Sequence, residues 1–121
     1  MIQLNYQDRR PIYEQIVEKM QELIVKGILQ KDEKIPSVRS LAIDMSINPN
    51  TIQKAYQELE RLGFIYTVKG RGNFVSGKEV WHTDKTKEIE EKLESTLKEL
   101  KALGVKKEEI VKKVDSLWEE V

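Results

Sequence analysis

SINPNTIQKAYQELERLGFIYTVKGRGNFVS, residues 46–76, contains a change of period that decides the fold. In its first half, apolar side chains recur at helical steps. Ile52, Ala55, Tyr56, Leu59 and Leu62 fall within about one-third of a helical wheel. Asn48 suits the N-cap, Pro49 the first helical position and Gly63 the stop. In its second half, residues 64–68 and 73–76 are rich in β-branched and aromatic types. They flank Lys69-Gly70-Arg71-Gly72, a glycine-containing turn, so the pattern predicts two antiparallel strands with an exposed basic tip.

The polar side of the predicted helix carries Asn50, Gln53, Lys54, Gln57 and Arg61. The acids Glu58 and Glu60 lie off its flanks. A solvated helix face more often mixes Glu with Lys along one stripe. Amides can pair with adenine edges, and Arg or Lys with guanine or phosphate. The face therefore favours nucleic-acid readout, and the basic hairpin tip that follows strengthens this reading.

Upstream, IPSVRSLAIDMS predicts a short helix. Ser37 follows Pro36 as its N-cap, and Val38, Leu41, Ala42 and Met45 form its apolar face. Further upstream, PIYEQIVEKMQELIVKG predicts a longer helix. It has Pro11 in its first turn, a stripe of Ile12, Ile16, Met20, Leu23 and Ile24, and Gly27 as its stop. QKDEK reads as a polar connection. The order helix, helix, tight turn, helix, hairpin is that of a winged helix-turn-helix. The fold class is mainly α with a small β-hairpin.

Downstream, Gly77 and Lys78 read as the start of a linker. From about Thr83 the composition shifts to Lys, Glu and Leu. Ile89, Leu93, Leu97 and Leu100 form one stripe. Gly104 breaks it, and Ile110, Val114, Leu117, Trp118 and Val121 form another. This predicts a short C-terminal αα-hairpin, giving two domains: 1–78, a DNA-binding unit, and 79–121, a two-helix tail. Each tail helix has one narrow apolar face with no domain to cover it, so self-association is expected. Folding back onto the first domain is the alternative. Trp81 and Trp118 read as packing residues.

Composition excludes several classes. With 121 residues, one domain with a small appendage is expected. The chain has no cysteine, which removes disulfides and thiolate metal sites, and the single His82 cannot build a multi-histidine site. No stretch approaches the roughly 20 apolar residues of a membrane span. The N-terminus lacks the apolar core of a signal peptide. A soluble, cytoplasmic protein without cofactor is the expectation. The 21 basic and 21 acidic residues cancel, but residues 34–76 carry six basic and three acidic side chains, a weak bias towards nucleic acid.

GNFVSGKE, residues 72–79, nearly matches the phosphate loop G-x-x-x-x-G-K-[ST], with Glu79 where the magnesium-binding hydroxyl belongs. That loop needs a buried strand before its first glycine and a helix after it. A glycine-containing hairpin precedes Gly72, and no apolar strand ending in Asp follows. A nucleotide-binding enzyme is therefore not expected.

PIYEQI together with IPSVRSLAIDMSINPNTIQKAYQELERLGFIYTVKGRGNFV resembles the DNA-binding domain of the GntR family of bacterial transcriptional regulators, over roughly residues 5–78. The specific blocks are P-S-x-R-x-L-A, N-P-N-T-x-x-K-A-Y and the closing G-x-G-x-[FY]-V. The short tail resembles that of the YtrA-like subfamily, where it implies a dimerisation element too small for the effector pocket of larger relatives. The resemblance implies a homodimeric repressor that binds a pseudo-palindromic duplex operator. Arg39 would contact phosphate or a guanine edge. Asn48, Asn50, Thr51 and Gln53 would meet base edges and phosphates. Lys54 would add a phosphate contact. Gly70, with Lys69 beside it, would approach the minor groove, and Arg71 joins them on charge and position. Larger members often carry Arg where Pro49 and Gln53 stand, so their operators do not transfer.

Other readings stay open from the residues themselves. Arg39 could pair with Asp44 on the surface, and Asn48 could serve only as a cap. The winged fold also hosts protein-interaction modules that bind no DNA. No residue pattern identifies an effector, the regulated genes or the direction of regulation.

Overall fold

A computed structural model describes residues 2–120. It divides into two compact units, residues 1–83 and 84–121, within those bounds. The first unit extends past residue 78. Its elements are α1 (Ile12–Val25), α2 (Val38–Met45), α3 (Pro49–Arg61), β1 (Ile65–Val68), β2 (Gly72–Val75) and the start of α4 (Lys78–Ala102).

The stripe of α1 forms as the periodicity requires, and Ile16, Met20 and Ile24 are buried against α3. Pro11 sits at the N-cap, one residue before the helix. The buried Gln15 clips the preceding segment: its Oε1 accepts from Asn5 N–H at 3.0 Å, and its Nε2 donates to the Asn5 carbonyl at 3.1 Å. Ser37 caps α2, its side chain accepting from Ser40 N–H at 3.0 Å. Ser46 then turns the chain left-handed, at φ 54°. Asn48 caps α3, its Oδ1 accepting from Asn50 N–H at 2.8 Å. Ile52, Ala55, Tyr56 and Leu59 form the buried face of α3, and the Tyr56 hydroxyl donates to the Pro36 carbonyl at 2.7 Å. That bond ties α3 to the residue before the α2 cap. Burial pushes the Tyr56 phenol up to about 12.

The hairpin pairs Ile65 with Val75 and Val68 with Gly72, leaving Lys69, Gly70 and Arg71 as the loop. Gly72, expected in the turn, instead opens β2. The segment QKDEK is also more than a connection. Asp32 N–H donates to the Val75 carbonyl at 2.8 Å, Val75 N–H to Glu33 at 2.9 Å, and Ile35 N–H to Asn73 at 3.0 Å. Residues 32–35 thus line the open edge of β2, anchored by the buried Ile35. Their charged side chains conceal this in the sequence, because pairing uses only backbone groups.

The linker expected from Gly77 is absent, since α4 begins at Lys78. Its first turn is fixed by Trp81, which is buried and stacked on Phe64 with ring centroids 5.2 Å apart. Lys31 pairs with Glu79 across 3.2 Å. The Glu79 carboxyl lies below its usual range because it accepts from its own backbone N–H at the helix start, with Lys31 adding to the effect.

The second unit holds the remainder of α4, a turn at Gly104 (φ 84°) and α5 (Lys107–Glu120). The Val105 N–H donates to the Leu100 carbonyl at 3.0 Å and the Gly104 N–H to Lys101 at 3.0 Å, closing α4 as glycine-ended helices do. Among the described residues α5 buries nothing, and α4 buries only Trp81, in the first unit. Ile89, Leu93, Leu97, Val114 and Leu117 are exposed, and Leu100 and Ile110 are half-buried. Trp118 is exposed too, so it does not act as packing within the chain. Val121, assigned to the same stripe, lies outside the described residues.

Candidate nucleic-acid interface

Arg39 stands in the first turn of α2, which contains no acid. It is exposed and forms no ion pair among the described residues, so the pairing with Asp44 does not occur. Arg10 and Arg61 behave differently. Arg10 bonds Asp8 and Glu18, and Arg61 donates from Nε to Glu58 at 3.0 Å. Arg61 belongs to the polar side of α3 in the sequence, but Glu58 neutralises it here.

The first turns of α3 present Asn50, Gln53 and Lys54 to solvent, with Thr51 half-buried between them. No acid lies in the first turn, and the helix N-terminus adds its own partial positive charge. Pro49 at the first position removes one N–H, and the Asn48 side chain occupies the N–H of Asn50. Asn48 therefore does act as a cap, while remaining exposed. Lys54 is held in place: its ammonium lies 4.1 Å from the centroid of the Tyr13 ring of α1.

At the wing, Lys69, Gly70 and Arg71 are all exposed, and neither cation forms an ion pair among the described residues. Gly70 has φ 78°, which favours glycine, and nothing within 4 Å of where a Cβ would stand. Its surroundings leave room for close approach by another molecule. The wing is braced against α3 through Thr67, whose Oγ1 lies 2.6 Å from Asn73 Oδ1 and 3.2 Å from Glu60 Oε2. On the other face of the sheet Tyr66 stacks on Phe74 and donates its hydroxyl to Asp32 at 2.7 Å.

Lys34 is a further exposed cation beside the wing that sequence spacing does not single out. It lies across β2, and a Cβ on Gly72 would stand 2.9 Å from its Cε. The cue in the sequence is faint: a lysine two residues before the Pro36-Ser37 cap, inside the mildly basic stretch 34–76. Tyr13 was also missed as a partner of the interface, because nothing in sequence spacing links residues 13 and 54.

These elements make a winged helix-turn-helix in which Gln53, Lys54, Lys69 and Arg71 form no ion pair with an acid among the described residues, the class of DNA-binding proteins. Residues 12–75 match the family described as "Bacterial regulatory proteins, gntR family". The chain belongs to this GntR family and is a DNA-binding transcriptional regulator, not an enzyme. It is 46% identical over 103 residues to the "HTH-type transcriptional repressor YtrA" of Bacillus subtilis (strain 168), covering 85% of this chain and 75% of that protein. A solved structure described as a transcriptional antiterminator from Listeria monocytogenes EGD-e is similar at a TM-score of 0.78 and 46% identity, covering 97% of this chain and 89% of the other. The DNA-binding domain of AraR, solved in complex with operator ORR3, is similar at a TM-score of 0.54 and 32% identity over 61% of this chain and 89% of that one.

Proposed function

We propose that this regulator is a homodimeric repressor that reads a pseudo-palindromic operator through Arg39, the start of α3 and the wing. The observation that carries the reading is the state of the donors: Arg39, Gln53, Lys69 and Arg71 are exposed and, among the described residues, bound to no acid, whereas Arg10 and Arg61 are paired. Gln53 and Asn50 select bases from the major groove, while Arg39, Lys54 and the capped N-terminus of α3 meet phosphate. Asn48 and Thr51 position the helix start, and Lys69, Gly70 and Arg71 follow the adjacent groove. The repressor assignment follows the relative YtrA. A partner of chromosomal duplex DNA implies work in the cytoplasm.

The tail supports dimerisation. Ile89, Leu93 and Leu97 on α4 and Val114 and Leu117 on α5 are 37–55% exposed, a pair of unmatched apolar stripes. A second copy covers them, with Leu100 and Ile110 completing the seam. Two wings joined in this way match a two-fold related site. No helix among the described residues is long and apolar enough to cross a membrane.

The test is selection of bound duplexes from random DNA, followed by titration of variants on the selected site. Arg39→Ala is expected to weaken binding by about 1–3 kcal/mol and to lower the salt slope. Gln53→Ala is expected to relax selection at one base position per half-site by a similar amount. Wild-type affinity and specificity in both variants would overturn the contact assignment. No enrichment at low salt would favour an interaction module instead.

A further inference from the structure

We propose that Tyr13 is a positioning residue for operator binding, its ring holding Lys54 beside the recognition helix as a pre-oriented and uncancelled cation. The inference rests on the reading of Lys54 as a phosphate contact and adds a residue from a different helix to it.

Lys54 has an obvious alternative partner. Glu58 lies four residues on, at the spacing where helical ion pairs form. That carboxylate is instead taken by Arg61, which donates to it from both Nε and Nη2. Its carboxyl is held below the usual range chiefly by that hydrogen bond. Lys54 makes no ion pair among the described residues and rests 4.1 Å from the Tyr13 ring centroid. The two arrangements differ in what a phosphate would meet. A Lys54–Glu58 pair would present a neutralised cation with an anion beside it. An aromatic ring attracts the ammonium through its quadrupole and leaves the net charge intact. The ring is itself well anchored. Tyr13 is half-buried and packs on the core, and Gln15, two residues on, pins the segment before α1. A long lysine side chain loses much rotamer freedom on immobilisation, and part of that loss has already occurred before DNA arrives.

The experiment is a double-mutant cycle on the full chain, with the duplex that the wild-type protein selects from random DNA as the probe. Lys54→Met is expected to weaken binding several-fold and to lower the salt slope by about one per protomer. Tyr13→Phe keeps a ring and is expected to bind within about twofold of wild type. Tyr13→Leu is expected to lose roughly two- to fivefold with Lys54 present and nothing further in the Lys54→Met background. Thermal melts are recorded for each variant, and Tyr13→Met replaces Tyr13→Leu if the latter does not fold. Equal losses from Tyr13→Leu in both backgrounds would overturn the proposal, because they would mean packing or a contact independent of Lys54. A Tyr13→Phe loss as large as that of Tyr13→Leu would also overturn it, assigning the role to the hydroxyl. If Lys54→Met binds like wild type, the phosphate reading of Lys54 falls and this proposal with it. If Lys54→Met weakens binding while Tyr13→Leu does not, the proposal alone falls.

Discussion

Asn48 combines a structural role with a proposed functional one, and a single substitution separates them. Its side chain satisfies the Asn50 N–H, and Asp caps helices as well as Asn does. Asn48→Asp is therefore expected to melt like wild type or slightly higher, since the carboxylate suits the helix N-terminus. On the selected duplex it is expected to bind roughly tenfold more weakly, because a negative charge now faces phosphate. A variant that melts normally and binds normally would confine Asn48 to capping. Tyr56 makes a second prediction. Its phenol is raised from 10.0 to about 12 by burial, so the folded state favours the neutral form. The associated stability is fully present below pH 10 and is lost as pH rises through about 12, a contribution of roughly 2–3 kcal/mol. Denaturant melts at stepped alkaline pH are expected to show this loss in wild type and a smaller one in Tyr56→Phe.

At the scale of elements, what the sequence revealed depended on how local the signal was. The three helices of the DNA-binding unit, their caps Ser37 and Asn48 and the presence of a hairpin were legible because each rests on periodicity or on a residue next to the element it controls, whereas the hairpin register, with Gly72 paired to Val68, was not. Gln53, Lys69 and Arg71 could be nominated for the same reason, whereas Arg39 and Gly70 were implied by the family resemblance. Residues 32–35 were not legible as a sheet edge, since backbone pairing leaves no mark in a run of charged side chains. Nor was the start of α4, because Lys78 to Thr83 carries no stripe of its own and is ordered by long-range contacts, Trp81 on Phe64 and Lys31 with Glu79. Lys54 was nominated without its partner, as Tyr13 comes from another helix. The early start of α4 has a measurable consequence. A fragment of residues 1–83 retains the Trp81 contact and one of residues 1–78 does not. The shorter fragment is expected to be less stable by about 3–5 kcal/mol, the range for deleting a buried large side chain. Equal melting of the two fragments would show that α4 adds nothing to the core.

For the whole molecule, the proposed role of the tail is to link two reading heads. Sedimentation at tens of micromolar is expected to give a dimer for the full chain and a monomer for residues 1–83. Loss of the tail is also expected to weaken operator binding by about 10²–10⁴, the avidity range for linked sites, while leaving half-site preference unchanged. Full affinity without the tail would separate dimerisation from DNA binding.

The chain has two tryptophans, and each lies in a different unit: Trp81 is 6% exposed against Phe64, and Trp118 is 75% exposed on α5. Their fluorescence therefore reports on two separate events. Emission from Trp81 is expected to follow melting of the reading head, and emission from Trp118 is expected to follow the meeting of copies if the proposed dimer buries α5. With Trp118→Phe and Trp81→Phe as single-fluorophore versions, the order of assembly and unfolding can be followed without any added label.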